Sequence, residues 1–179
     1  MLTILIENRN NEAELAHTLA ALVAGAVEGL VSDVIILDNG STDGSAHVAD
    51  TAGARFCTGW AISDVILSAR GSWFLLLEPG ARPVGRWVDD IAEYMAIGTK
   101  PARFSASRLY QAPLLKRMTR RRSKLELGHL MTRQQASKAA SEKARLGDLV
   151  TTRLVHRLGS EIVPAWVTIG NRPVADRRK

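Results

Sequence analysis

A single cysteine, Cys57, is all the thiol chemistry in this chain of 179 residues. One thiol closes no intrachain disulfide and assembles no cysteine-based metal site. Long apolar runs are also missing: the stretch from Leu19 to Val27 is interrupted by Gly25, and the stretch from Trp73 to Leu77 is short. A helix that crosses a bilayer needs about 20 apolar residues, so nothing here reads as a membrane span. The N-terminus has no basic stretch ahead of its apolar run and reads as a first strand, not as a signal peptide. The histidines at 17, 47, 129 and 156 show no metal-ligand spacing, and each reads as a surface or helix-face residue. There is no Gly-x-Gly-x-x-Gly after the first strand and no Gly-x-x-x-x-Gly-Lys-Ser/Thr, which disfavours dinucleotide oxidoreductases and P-loop enzymes. Internal repeats and low-complexity segments are absent as well.

What remains is an ordinary globular composition, 46% apolar, in a chain sized to bury roughly 70% of its unfolded surface. Its charge is unevenly divided. The net +6 is the sum of −7 over residues 1–100 and +13 over residues 101–179. The densest basic run spans Lys116 to Lys124, with Lys116, Arg117, Arg120, Arg121, Arg122 and Lys124. It is expected to be exposed and to attract polyanions such as anionic lipid headgroups or a nucleotide diphosphate, and its plain alternative is a solvated helix face.

Apolar strand-like segments alternate with helical ones through the first hundred residues. Thr3–Ile6, Asp33–Asp38, Ala54–Thr58 and Trp73–Glu78 read as strands. Between them, Leu15, Leu19, Leu22 and Val23 recur at helical spacing behind a cap at Asn10 or Asn11, and Gly29 ends that helix. A short helix ending near Gly53, a helix over Ile62–Ala69 and one over Gly85–Ile97 complete the pattern. After Pro101 the rhythm loosens: a strand near Arg103–Arg108, basic helical segments around Leu114–Arg122, helices over Gln134–Arg145 and Asp148–Leu158, and a late strand over Glu161–Ile169. The expected fold is α/β, a mostly parallel sheet with helices on both faces and a less regular basic C-terminal part. We expect a single domain over residues 1–171, with 1–100 as a nucleotide-binding half and 101–171 as an acceptor-side half, and a flexible tail over 172–179.

Ligands of such sheets sit outside the carboxyl ends of the strands. Three of those ends carry polar residues: Glu7-Asn8-Arg9-Asn10, Asp38-Asn39-Gly40-Ser41 and Glu78-Pro79-Gly80. A carboxylate at the end of an apolar strand can accept hydrogen bonds from a base N–H or a ribose hydroxyl. The loop after Asp38 reads as a source of free backbone amides for an anion. On the alternative reading Asp38 and Asn39 build a turn, with Ser41 or Thr42 as the helix cap.

Val34-Ile35-Ile36-Leu37-Asp38-Asn39-Gly40-Ser41-Thr42-Asp43-Gly44-Ser45 resembles the second-strand signature of family 2 glycosyltransferases. Thr3-Ile4-Leu5-Ile6 with Asn10-Asn11-Glu12, Leu15 and Thr18-Leu19 is similar to that family's first strand and helix. The resemblance is specific over about residues 1–56 and recognisable to about 97. It implies a GT-A (Rossmann-like) fold and the transfer of a sugar from a nucleotide diphosphate to an acceptor. By matching position it implies Asp38 as the contact to the base with Asn8 beside it, and Asn39 in the same nucleotide site.

The departures from the family pattern are informative. Arg9 stands where the family has a stacking aromatic, and an arginine plane can stack on a base in its place. The Arg-Asn that usually opens the helix before the fourth strand falls near Ile62-Ser63. The family's fourth strand ends in Asp-x-Asp, which holds Mg²⁺ or Mn²⁺ against the diphosphate, where this chain has Glu78-Pro79-Gly80. Glu78 is then the one carboxylate left for a metal, and the expectation is a divalent-ion dependence that is weak or absent, which Gly80→Asp would strengthen. Asp148, in Gly147-Asp148-Leu149-Val150, falls where the family often opens a helix with Glu-Asp, and the resemblance implies it as the general base. Its plain alternative is a residue that favours a helix N-terminus. The reading is thus a cytoplasmic transferase that touches anionic membrane peripherally through its basic run. The alternatives are a catalytically silent GT-A domain that keeps a nucleotide pocket or serves a partner, and a nucleic-acid or membrane binder. No specific nucleic acid is expected.

Overall fold

The computed structural model describes residues 1–110, 123–141 and 144–170, the side chains of 169 and 170 excepted. Its strands are β1 (Leu2–Asn8), β2 (Val31–Asp38), β3 (Arg55–Thr58), β4 (Trp73–Leu77), β5 (Arg82–Val84), β6 (Ala102–Ala106), β7 (His129–Thr132) and β8 (His156–Val163). They form one sheet in the order β3-β2-β1-β4-β7-β6-β8-β5. The left half, β3-β2-β1-β4, is wholly parallel. β7 runs antiparallel to both β4 and β6, β8 is parallel to β6, and β5 closes the far edge antiparallel to β8.

β1 and β4 are central strands, and their side chains are buried on both faces almost throughout, as a parallel sheet covered on two sides demands. Leu2, Ile4 and Ile6 enter one core layer, which α1 (Glu12–Val27), α2 (Ser45–Thr51) and α4 (Trp87–Ile97) help to close. Leu5, Ile35, Leu37, Phe74 and Leu76 enter the other, beneath α3 (Ile62–Ser68), α5 (Arg133–Ala139) and the 3₁₀ turn Leu146–Leu149. The α1 stripe Leu15, Leu19 and Leu22 is buried at helical spacing. Gly25 continues that stripe because Trp87 lies against it: a Cβ there would stand 2.4 Å from the indole.

Arg133 ties the two halves of the chain together. It follows β7, donates to the carbonyls of Ile66 and Gly71 at 2.9 and 3.2 Å, and also reaches that of Ala69. It thereby satisfies carbonyls that the end of α3 leaves open. Thr132 and Gln135 cap α5 reciprocally.

The late chain differs from the sequence reading. The helix expected over Asp148–Leu158 is a 3₁₀ turn, an irregular stretch and the start of β8. Val150, Leu154 and Leu158 mimic a helical stripe by their spacing, yet Leu154 is 78% exposed at φ +52°. Over Arg157–Ile162 the buried residues Leu158, Ser160 and Ile162 alternate with more open ones, which is the period of a strand. The strand expected over Glu161–Ile169 accordingly ends at Val163, and α6 (Ala165–Gly170) follows. β5 and β7 were not anticipated, being only three and four residues long. The helix of Gln134–Arg145 stops at Ala139. The basic segment Leu114–Arg122 and the tail 172–179 fall outside the described residues.

Candidate functional site

Asp38 ends β2, and in register with it stand Asn8 at the end of β1 and Thr58 at the end of β3. The candidate site is the crevice outside these strand ends. Asp38 is 4% exposed, and donors surround it. The amides of Gly40 and Ser41 reach Oδ2 at 2.9 Å each, while the Ser41 hydroxyl and the Asn8 amide donate to Oδ1, the latter at 3.4 Å. Burial pushes the carboxyl upward, but the hydrogen bonds from Ser41, Gly40 and Asn8 outweigh it and hold Asp38 below the ordinary carboxylate value.

The loop amides expected to be free for an anion are occupied. Besides Gly40 and Ser41, the Thr42 amide donates to Asn10 Oδ1, that of Gly44 to Glu12 and that of Ser45 to Asp43. The N-cap of α2 is Gly44, with neither Ser41 nor Thr42 in that position. A chain of side-chain acceptors has thus replaced an incoming anion as the partner of this loop.

Around Asp38 lies a cavity of about 780 Å³ lined by Glu7, Arg9, Asn39, Trp60, Ala144 and Arg145 among others. Asn8 stands behind Asp38, 1% exposed, and does not line the cavity. Its amide nitrogen is given to Asp38 and to the Ser41 hydroxyl at 3.1 Å. Trp60 is the residue the sequence reading missed. Its indole Nε1 donates to the Asp38 carbonyl at 3.1 Å, which anchors a flat ring beside the strand end. The only signal for it was a tryptophan two residues past a strand, Thr58-Gly59-Trp60.

Glu7 binds the two halves of the site together. Its Oε1 accepts from Asn39 Nδ2 at 2.8 Å and from the Arg145 guanidinium at 3.1 Å, and its Oε2 accepts the Leu146 amide at 3.0 Å. Arg145 therefore stands at the boundary of a second cavity, of about 610 Å³, which Glu7 and Arg145 also line with Glu78, Lys124, Asp148 and Trp166. So Glu78 and Asp148, far apart in sequence, share one cavity next to that of Asp38.

Asp148 is exposed, accepts the Arg145 amide at 3.1 Å and pairs with Lys124 at 3.4 Å. The Arg145 amide and then Lys124 hold its carboxyl below the ordinary value. It also serves as the reaching residue of the 3₁₀ turn's cap, which is the structural role the sequence allowed it.

At the end of β4, Ala81 N donates to Glu78 O at 3.1 Å, with Pro79 and Gly80 (φ +95°) at the two central positions. This is the residue order of a type II turn, whose second central position favours glycine. Gly80 does not face the cavity: its amide donates to Thr18 Oγ1 at 2.7 Å, and a Cβ would meet Ala165 and Glu14 at 3.2–3.3 Å. An aspartate at position 80 would therefore start from a strained backbone and point toward Ala165 and Glu14, not into the cavity, unless the turn rearranges. Among the described residues no three of His, Cys, Asp and Glu gather as a metal cluster.

Asp38 closes β2 on a parallel sheet that continues antiparallel through β7. No protein-family model matches the chain. Over 73 residues it is 37% identical to the 4,4'-diaponeurosporenoate glycosyltransferase of Staphylococcus aureus strain RF122, and likewise to that of strain MRSA252. Each match covers 41% of this chain and 17% of the relative. The solved structure of glucosyl-3-phosphoglycerate synthase from Mycobacterium tuberculosis, in complex with Mn²⁺, UDP and glucosyl-3-phosphoglycerate, superposes with a TM-score of 0.62 at 17% identity. That likeness takes in 98% of this chain and 74% of the other. S. aureus TarS superposes at 0.64 with 10% identity, over 88% of this chain and 57% of that one. The fold is that of the GT-A glycosyltransferases. The GT-A sheet explains why the strand-end residues Glu7, Asp38 and Glu78 converge although the chain carries them 31 and 40 positions apart. Among the described residues no helix is long and apolar enough to cross a membrane.

Proposed function

We propose that the chain is the sugar-nucleotide-binding core of a glycosyltransferase. The observation that supports this best is the cavity at the end of β2, where Asp38, Asn39, Arg9 and Trp60 meet. Asp38, ionised and held on Oδ2 by the Gly40 and Ser41 amides, takes the base N–H on Oδ1 in place of the long 3.4 Å Asn8 contact. Asn8 acts from behind as the residue that orients it, and Asn39 offers its amide oxygen. Trp60 or Arg9 covers the flat face of the base. The diphosphate then extends past Arg145 toward the cavity of Glu78 and Asp148, which among the described residues Arg145 and Lys124 line as cations. Residues 1–100 form the nucleotide side on this reading, and residues 101–171 the acceptor side.

In that cavity Asp148 is the candidate base for the acceptor hydroxyl. The residue is ionised and so ready to accept a proton, but the Lys124 pair must open first. Glu78 is the sole remnant of the metal motif, so binding of Mg²⁺ or Mn²⁺ is expected to be weak. The M. tuberculosis synthase was solved with Mn²⁺ or Mg²⁺ beside UDP, so this chain's dependence is the point to measure.

A second reading, a nucleotide-binding GT-A domain without transferase activity, is favoured by the Pro79-Gly80 turn and by the Lys124–Asp148 pair. Peripheral contact with anionic membrane through Lys116 to Lys124 belongs to either reading. The test is a thermal-shift panel of nucleoside diphosphates with and without Mn²⁺, since a ligand that binds only the folded state raises its apparent stability. Stabilisation by one diphosphate that Asp38→Ala abolishes supports the pocket. No shift with any nucleotide would sink both readings.

A further inference from the structure

The face of the sheet formed by β6, β7 and β8 carries an arrangement that neither reading above uses. On β6, Ala102 and Phe104 enter the core, while Arg103 and Ser105 alternate with them on the opposite face. Arg157 of β8 is the register partner of Arg103. Two guanidinium groups thus stand side by side on paired strands. Like charges in directly opposed positions are destabilising, and among the described residues neither arginine has an ion-pair partner.

Two further groups face the same space. Ser105 Oγ receives Arg157 Nε at 2.8 Å, which fixes the guanidinium in place. His129 of β7 is 2% exposed, and its Nε2 has no hydrogen-bond partner among the described residues. A buried polar atom left unpaired is costly, and in native proteins it usually signals a missing partner. Arg103, Ser105, His129 and Arg157 all line one cavity of about 560 Å³. Two acids also line it, Glu126 and Glu161; Glu161 is engaged with Arg108, through the Arg108 amide at 3.0 Å and the guanidinium at 3.4 Å. The cavity is of the size that takes a small molecule. It shares Ser123, Lys124 and Trp166 with the cavity of Glu78 and Asp148.

We propose that this cavity is an oxyanion-binding site, in which Arg103 and Arg157 clamp a phosphate or carboxylate and His129 Nε2 completes its hydrogen bonds. Paired guanidinium groups suit such an anion because each presents planar, parallel donors. If the transferase reading is right, the anion belongs to the acceptor, whose hydroxyl would point through the shared wall toward Asp148. The clamp itself does not depend on that reading.

The experiment is a titration followed by ¹H–¹⁵N spectra at constant ionic strength, with inorganic phosphate in one arm, acetate in the second and chloride as the control. Saturable shifts at Arg103, Ser105, His129 and Arg157 are expected with phosphate or acetate, and which of the two is stronger identifies the anion. Arg103→Gln and Arg157→Gln, both on exposed side chains, should each weaken binding by roughly tenfold, the worth of one charge-assisted hydrogen bond. Shifts no larger than those with chloride, or shifts confined to Gly40, Trp60 and Arg145, would overturn the proposal. The same titration on Asp38→Ala separates the two claims. Phosphate binding that persists in Asp38→Ala while UDP binding is lost leaves the clamp standing apart from the pocket, and in the unaltered chain UDP binding without phosphate shifts at these four residues overturns the clamp and leaves the pocket.

Discussion

The Glu7 carboxylate holds the Leu146 amide at 3.0 Å across 139 positions of sequence, and the neighbouring Arg145 guanidinium at 3.1 Å. One side chain at the end of β1 thereby positions the segment that separates the two site cavities. The ion pair itself adds little, because Arg145 is 73% exposed. The hydrogen bond to the amide matters more, since it is accepted by a charged and largely buried group. Glu7→Ala should cost about 2 kcal/mol in urea unfolding. Hydrogen exchange at the Leu146 amide should accelerate by more than the global change, and equal acceleration everywhere would contradict this role.

Trp60 provides a direct optical test of the nucleotide pocket. Stacking a base on an aromatic ring is worth about 1–3 kcal/mol, so Trp60→Ala should weaken nucleoside diphosphate binding about tenfold or more. In the unaltered chain, titration with UDP should change indole emission, and in Trp60→Phe that change should vanish while most of the affinity remains. Unchanged emission in both proteins would place the base elsewhere.

Asp38 makes the fold sensitive to acid. Its folded-state carboxyl lies below the ordinary value, so the stability it contributes is fully present above about pH 3.9 and is lost as the pH falls through the lower folded value. Asp38→Asn should flatten that part of the acid limb and lower stability near neutrality, as the Gly40 and Ser41 amides lose a charged acceptor. Chemical denaturation between pH 2.5 and 5 would show it, on the order of the window set by ordinary carboxylates.

His129 acts in a higher window. Burial, and then the nearby Arg103 charge, push its folded-state value down to about 4. Unfolded chains bind the proton near pH 6.5, so unfolding takes up a proton and stability falls as the pH drops from about 6.5 to about 4. The loss is on the order of 3 kcal/mol at most. His129→Leu should remove that slope, and a slope that survives the substitution would assign it to other groups.

Gly80 tests the fourth-strand turn. With φ +95° and its Cβ position 3.2 Å from the Ala165 carbonyl, Gly80→Ala and Gly80→Asp should each destabilise by about 1–3 kcal/mol. Gly80→Asp should bring no gain in Mn²⁺-dependent nucleotide binding. A clear gain, read by calorimetry, would show that the turn rearranges.

The parts of this molecule that could be read from sequence are those with long, consistent periodicity. β1, α1, β2 and β4 were legible because Ile4, Leu15, Ile36 and Leu75 sit in runs where local preference and burial agree. The GT-A fold followed from the residues around Asp38. β8 was misread because Val150, Leu154 and Leu158 keep helical spacing by coincidence. β5 and β7 escaped because strands this short carry little pattern, and their order comes from pairing with β8, β4 and β6. In the site, Asp38 and Asn39 lie in a contiguous motif, whereas Trp60, Glu7 and Arg145 act through contacts between distant segments that no local pattern encodes.

The antiparallel union of β4 with β7 has a consequence for how the chain can be cut. The charge boundary near residue 100 looks like a seam between an acidic module and a basic one, yet the sheet runs straight through it. A fragment ending there would lack β7 and leave the open side of Trp73–Leu77 unpaired. Five buried apolar residues would then flank a bare row of backbone donors and acceptors. Such an edge recruits other strands, so the acidic fragment should self-associate when separated from the basic remainder.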